Sequence, residues 1–313
     1  MYIGIDVGGT NITGGLFSAT HEIIARAKVK SRAKEGTASV IEQLFKVIQE
    51  LKASSKEEIL GIGIGIAGII DSKAGVVRSS ANIDVKNFPL KEVVETEFHI
   101  PTYIENDVNV GVIGEWKYGG AKGYDNIVGI FVGTGIGGGL VLDGKLYTGK
   151  IGAAGEIGHI PLDMNGPYCG CGSKGCIEAY ASKTGMEKYI NALIKHQHKS
   201  PFLTRVEENH GRLKSGHLVE ALKANDTYAV EVLDFAMERL GVGLAGIINL
   251  LNPDLVVLGG GVMEALGEQL LPKIQESAVK YAMPEIYKCV EFKMAKLGDD
   301  AGIYGAMDIA SKR

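Results

Sequence analysis

Two stretches of the chain carry the same punctuation: YIGIDVGGTNITGGLF at residues 2–17 and IVGIFVGTGIGGGLVL at residues 127–142. In each, a short apolar run ends in Gly-Thr (Gly9-Thr10 and Gly133-Thr134). Gly-Gly-Leu follows at the same distance (Gly14-Gly15-Leu16 and Gly138-Gly139-Leu140). An apolar run, a Gly-rich turn and a second apolar run predict a β-hairpin. Successive backbone N–H groups in such a turn, with a Thr hydroxyl beside them, can cradle phosphate. That gives Gly8, Gly9 and Thr10 in one turn and Gly133, Thr134 and Gly135 in the other. Neither turn is a Walker A loop, since Gly-Lys-Ser/Thr is missing, and a strand rather than a helix follows, unlike a dinucleotide fingerprint. Two copies of one hairpin indicate an internal repeat. The reading is a nucleotide in a cleft between two related α/β domains. Asp6 stands at the mouth of the first turn. It would repel phosphate there unless it holds Mg²⁺, and an ordinary hairpin Asp fits the local sequence equally well.

Residues 37–52 have helical periodicity, with Val40, Ile41, Leu44, Phe45, Val47, Ile48 and Leu51 on one broad face. Residues 60–70 (LGIGIGIAGII) alternate Gly and Ile and predict one buried strand that another backbone or a ligand approaches closely. A turn at 71–75, a polar cluster at Asn82-Ile83-Asp84 and a short helix over 88–97 follow. A strand opening at Ile100-Pro101 runs into Glu105-Asn106-Asp107. A carboxylate and an amide at the C-terminal end of a strand lie where α/β folds place ligands, and Asp107 there can act as general base. Asn and Asp also cap helices, and a helix is expected over 108–116. The two readings are compatible.

The densest chemistry lies at 155–178, GEIGHIPLDMNGPYCGCGSKGCIE. His159, Cys169, Cys171 and Cys176 form H-x9-C-x-C-x4-C, a Cys₃His set that closes a tetrahedral, structural Zn²⁺ site. Gly170, Gly172 and Gly175 let the backbone wrap round an ion. Free cysteines in a loop or a disulfide are the alternatives, and a disulfide across Cys169 and Cys171 would be strained. The metal would fix what flanks it, Glu156 and Glu178.

Further on, helices are expected over 182–193, 218–223 and 228–251, the last long and apolar. Residues 195–216 are polar and poorly patterned; His196, His198, His210 and His217 in and beside them read as surface residues. A strand at 255–258 ends in Gly259-Gly260-Gly261, where backbone could meet the flat face of adenine. Residues 262–279 are helical, with a new segment expected at Pro272. Cys289 reads as core. The small-residue stretch 299–306 (DDAGIYGA) predicts a helix packed closely on the first domain.

Composition sets outer limits. The chain has 313 residues, net charge −4 and 45% hydrophobic residues, which suits a two-domain soluble protein. A slightly acidic balance gives no reason to expect nucleic acid or an anionic membrane as partner. No apolar run approaches a membrane span. The N-terminal residues lack a basic region and a cleavage site, so the expected location is the cytoplasm.

Taken together, the motifs resemble the ROK family of bacterial sugar kinases. The match rests on IGIDVGGT at 3–10, GIAG at 65–68, END at 105–107, VGTGIGGG at 132–139, GEIGH at 155–159, CGCGSKGCIE at 169–178, NPDLVVLGGG at 252–261 and DDAGIYGA at 299–306. It spans essentially the whole chain. The resemblance implies an α/β, actin-like/hexokinase-like ATPase fold with two α/β domains flanking a cleft. The expected division is 1–115 with about 300–313 in one domain, and 116–299 with the zinc site in the other. It implies transfer of the γ-phosphoryl of ATP to a sugar hydroxyl, with Asp107 as base. The implied sugar contacts are Gly68, Asn82, Asn106, Asp107, Glu156, His159 and Glu178. The implied phosphate and Mg²⁺ side is Asp6, Gly8, Gly9, Thr10, Gly133, Thr134 and Gly135, with Gly260 and Gly261 toward adenine. His159, Cys169, Cys171 and Cys176 match zinc ligands. A homodimer or homotetramer is implied. Glucose is the first expected acceptor and N-acetylmannosamine the second. Repressor members of the family carry an added N-terminal helix-turn-helix domain, for which a first strand starting at residue 2 leaves no room. A non-catalytic sugar-binding regulator is the remaining alternative.

Overall fold

The computed structural model describes residues 1–80 and 85–312. Asn82 lies outside the described residues. The first strands and helices are β1 (Tyr2–Val7), β2 (Asn11–Phe17), β3 (Ile23–Lys30), α1 (Thr37–Ala53), β4 (Gly61–Ile66), β5 (Ile69–Asp71), β6 (Val76–Ser79), β7 (Lys86–Phe88), α2 (Leu90–Phe98), β8 (Thr102–Asn106) and α3 (Asp107–Tyr118). Next come β9 (Ile127–Val132), β10 (Ile136–Leu142), β11 (Lys145–Tyr147), α4 (Ile177–Ala181), α5 (Lys183–Lys195), α6 (Pro201–Glu208), α7 (Ser215–Lys223) and α8 (Thr227–Leu251). The chain ends with β12 (Leu255–Gly259), α9 (Gly261–Tyr281), α10 (Pro284–Tyr287), β13 (Glu291–Met294) and α11 (Ala301–Ser311). Two five-stranded sheets result, ordered β3-β2-β1-β4-β8 and β11-β10-β9-β12-β13, with a small sheet β5-β6-β7. This is the actin-like/hexokinase-like ATPase fold. The chain divides into two compact units: residues 1–123, 139–155 and 296–313, and residues 124–138 and 156–295.

The first unit shows why β4 alternates Gly and Ile. Ile62, Ile64 and Ile66 point into one core with Ile3, Ile5 and Val7 of β1 and Leu44, Val47 and Ile48 of α1. On the opposite face, helix backbone lies directly on the strand. A Cβ at Gly63 would come within 1.7 Å of the Ala306 carbonyl oxygen, and one at Gly65 within 2.3 Å of the Val110 side chain. The close approach expected from the sequence is therefore made by α11 and α3. β1 pairs antiparallel with β2 and parallel with β4.

Several expectations need correcting. The strand over 60–70 is two strands, because Gly68 adopts φ +133° between them. Phe88 belongs to β7 and the helix starts at Leu90. The polar stretch 195–216 contains α6, capped by the Ser200 hydroxyl with Pro201 at its start and Phe202, Leu203 and Val206 buried. α9 runs through Pro272 without a break. The carbonyl deprived of its partner there belongs to Glu268, an exposed residue, so water can satisfy it. Cys289 is exposed rather than core, because it follows the solvent-facing turn of α10.

Candidate active site

In the first unit the site is built on β1, β8 and the N-termini of α3 and α11. Asn106 caps α3: its Oδ1 accepts from the N–H groups of Val108 (2.9 Å) and Asn109 (3.1 Å). That fixes the amide, whose Nδ2 then donates to the Gly68 carbonyl (3.1 Å) and to Oδ1 of Asp107 (3.0 Å). Capping and orientation of Asp107 are thus one device, as the sequence allowed. Behind it, the buried Glu105 accepts from Ser72 Oγ (2.6 Å), the Asn106 N–H (2.8 Å) and Asn109 Nδ2 (3.0 Å). Asp6 is pushed up to about 7, first by burial and then by the charges of Asp107 and Asp299. A Cβ on Gly302 would sit 3.0 Å from its carboxyl carbon, so Asp6 packs against the start of α11. The charges of Asp107 and Asp299 thus act on Asp6 beside the first turn, and carboxylate oxygens are the donors a hard divalent cation takes. Asp299 and Glu105 were not singled out as site residues from sequence. The signal was the Asp299-Asp300 pair ahead of a small-residue helix, and a Glu inside an otherwise apolar strand end.

The first turn is held from behind. Ser31 donates from Oγ to the Gly9 carbonyl (2.8 Å) and from its N–H to the Thr10 carbonyl (2.9 Å). With those carbonyls engaged, the exposed side of Gly9 and Thr10 offers donors.

In the second unit the turn at Gly133 to Gly135 is held by the start of α5. The Gly133 carbonyl accepts from the Lys183 N–H (2.9 Å), and the Thr134 carbonyl from Thr184 Oγ1 (2.8 Å). Glu178, in the first turn of α4, accepts from the Ile136 N–H at 2.9 Å. Its other oxygen lies 3.5 Å from Cys169 Sγ. A Cβ at Gly135 would meet Glu178 at 2.4 Å. One carboxylate therefore links the turn to the cysteine cluster.

His159, Cys169, Cys171 and Cys176 present donor atoms all within 4.8 Å of one another. Cys171 and Cys176 sulfurs are 3.8 Å apart, and His159 Nδ1 is 3.6 Å from Cys169 Sγ. Zn–S bonds of about 2.3 Å and Zn–N of about 2.0–2.1 Å at tetrahedral angles require edges of about 3.8 and 3.6 Å. The residues present therefore fit zinc. The Cys171 and Cys176 sulfurs are too far apart for a disulfide, which needs about 2.05 Å. All four cysteines are free. Gly172 and Gly175 adopt positive φ; Gly170 does not, so two glycines rather than three supply the wrap. His159 Nδ1 faces the cluster, and Nε2 lies 3.9 Å from a Glu156 oxygen.

Gly260 adopts φ +85°, with Val132 backbone 2.7 Å from where a Cβ would stand, whereas a Cβ at Gly261 would meet nothing within 4 Å. Ser215 Oγ contacts the Gly261 carbonyl (3.3 Å). Among the described residues no helix is long and apolar enough to cross a membrane.

The glucokinase of Thermotoga maritima is 36% identical over 312 residues, 99% of this chain and 97% of its own. The xylose repressor of Caldicellulosiruptor bescii is 29% identical over 97% of this chain and 76% of its own. Among solved structures, a ROK family glucokinase from Streptomyces griseus in complex with glucose and AMPPNP superposes with a TM-score of 0.85. It is 31% identical, and the match covers 100% of this chain and 99% of that one. The ROK family model matches residues 2–313, and the chain belongs to the ROK family.

Proposed function

We propose that this protein is an ATP-dependent hexose kinase that phosphorylates the 6-hydroxyl of glucose. The observation that carries the reading is its whole-length similarity to a glucokinase solved with glucose and AMPPNP. Asp107 accepts the proton of the attacking hydroxyl. The Asn106 amide, donating to Oδ1 of Asp107, holds that carboxylate in place. In the first unit Gly68, Asn82 and Asn106 complete the sugar contacts, and Gly8, Gly9 and Thr10 bind phosphate. Asp6 would hold Mg²⁺, directly or through water; the ion would neutralise charge on the transferring phosphates. In the second unit Glu156, His159 and Glu178 bind ring hydroxyls. Gly133, Thr134 and Gly135 bind phosphate, and Gly260 and Gly261 admit adenine. His159, Cys169, Cys171 and Cys176 would hold a structural zinc that orients His159 and its neighbours.

The test is ADP release from Mg-ATP against glucose, N-acetylmannosamine, N-acetylglucosamine, mannose, fructose and allose. Glucose should give the highest kcat/KM. Turnover confined to an N-acetylated sugar would replace glucose by that substrate. A second reading, a sugar-binding regulator, draws on the xylose repressor relatives. Tight sugar binding by folded, metal-loaded protein with no ATP turnover on any sugar would establish it and end the kinase reading.

A further inference from the structure

Glu115 is the least exposed carboxylate among the described residues, at 0%. Nothing in the proposed chemistry uses it. It lies in the last turn of α3, where a helix dipole disfavours negative charge. Its partners among the described residues are all backbone N–H groups: Gly120 at 2.7 Å, Leu297 at 2.7 Å and Lys296 at 3.0 Å from each oxygen. No cation among the described residues pairs with it. Burying a carboxylate in that place is costly, and charge-assisted bonds to four oxygen–donor contacts offset the cost only while their geometry is kept. A Cβ at Gly119 would lie 2.1 Å from Oε2, so even the adjoining turn is shaped round this group.

What the carboxylate joins is informative. Its own helix begins with Asp107. Its acceptor contacts at Lys296 and Leu297 immediately precede the turn Gly298–Asp300, which carries Asp299, and then α11. α3 and α11 touch backbone to backbone. A Cβ at Gly114 would lie 2.2 Å from the Ala301 carbonyl, and one at Gly305 1.7 Å from the Val110 carbonyl. With no side chains interlocked at these glycines, a fastener at the end of the pair sets how far one helix slides along the other.

We propose that Glu115 is a positioning residue for phosphoryl transfer, fixing the helix that carries Asp107 against the segment that carries Asp299. The inference rests on the reading of Asp107 as general base. Displacements of about 1 Å at such a distance can cost up to about 10²-fold in rate. Glu115→Gln keeps the shape but turns an N–H donor toward backbone donors; Glu115→Asp keeps the charge and withdraws it.

The experiment is a double-mutant cycle of Glu115→Gln with Asp107→Asn, read as kcat and glucose KM on folded protein. Emission of Trp116, the chain's single tryptophan, reports local packing. Glu115→Gln should lower kcat roughly 10-fold with glucose KM within about twofold, and have less than about a twofold further effect once Asp107 is Asn. Glu115→Asp serves the same cycle if the Gln variant does not fold. Wild-type kcat in Glu115→Gln, or an equal loss in both backgrounds, would overturn the proposal and leave a purely structural carboxylate. Failure of the base reading shows in Asp107→Asn alone, as wild-type turnover; failure of this inference shows in the Glu115 variant.

Discussion

The turns at Gly8 to Thr10 and Gly133 to Gly135 have the same sequence signature but are supported differently. Both present an exposed Thr and have their carbonyls taken from behind by a hydroxyl residue, Ser31 in one and Thr184 in the other. The first adjoins a repelling group of carboxylates around Asp6. The second is linked through Glu178 to the Cys₃His cluster. A repeated backbone motif thus recurs with different neighbours: carboxylates beside one turn, and a Cys₃His cluster linked through Glu178 to the other.

The largest separation of the two should come from Cys176→Ser. Structural zinc can be worth on the order of 10 kcal/mol of folding energy in small domains, so this variant should lose bound metal and show faster amide exchange at residues 133–136 and 183–185. Amides at residues 8–11 should be unchanged. Equal loosening of both turns, measured by hydrogen exchange, would mean that the cluster supports the whole fold rather than one turn.

Asp6→Asn addresses the other turn. Asp6 titrates at about 7 when folded against 3.8 for an ordinary Asp. Its ionised form is therefore penalised by folding. The penalty is absent below about pH 4, grows through the interval and is complete above about pH 7. In magnesium-free protein Asp6→Asn should raise stability at pH 8 and leave it unchanged at pH 4, while abolishing most turnover. Denaturant unfolding at the two pH values checks it; equal shifts at both would remove charge as the cause.

The smallest effects should come from the supports. Ser31→Ala and Thr184→Val each delete one hydrogen bond, worth about 1 kcal/mol. Each should raise KM for Mg-ATP several-fold with glucose KM unchanged. A rise in only one variant would show that only that turn contacts nucleotide.

Much of this was readable in the sequence, for reasons that are local. Residue order offered both a helix cap and a base at Asn106-Asp107; that Asn106 is the cap and its amide holds Asp107 came with the structure. The Cys₃His set needed only spacing. The Gly–Ile alternation of β4 announced a close approach, but at Gly63 what approaches comes from α11, over two hundred positions away. The same distance hid Asp299 as a neighbour of Asp6. α6 was missed because its three buried residues stand among charged ones, and Gly68 ended a strand through a dihedral angle that composition does not carry. Glu115 looked like an ordinary helical Glu; only its burial distinguishes it.

The glycine face of β4 also bears on engineering. Replacing Gly with Ala commonly stabilises a protein by about 0.4–1 kcal/mol by stiffening the unfolded chain. At Gly63 the new methyl would coincide with helix backbone, and a library there should return only the parent residue. Gly246, exposed toward the C-terminal end of α8 with nothing within 4 Å of an added methyl, is where the same change should raise the melting temperature. For this protein, 44 glycines are a map of where a single carbon atom is forbidden and where it is free.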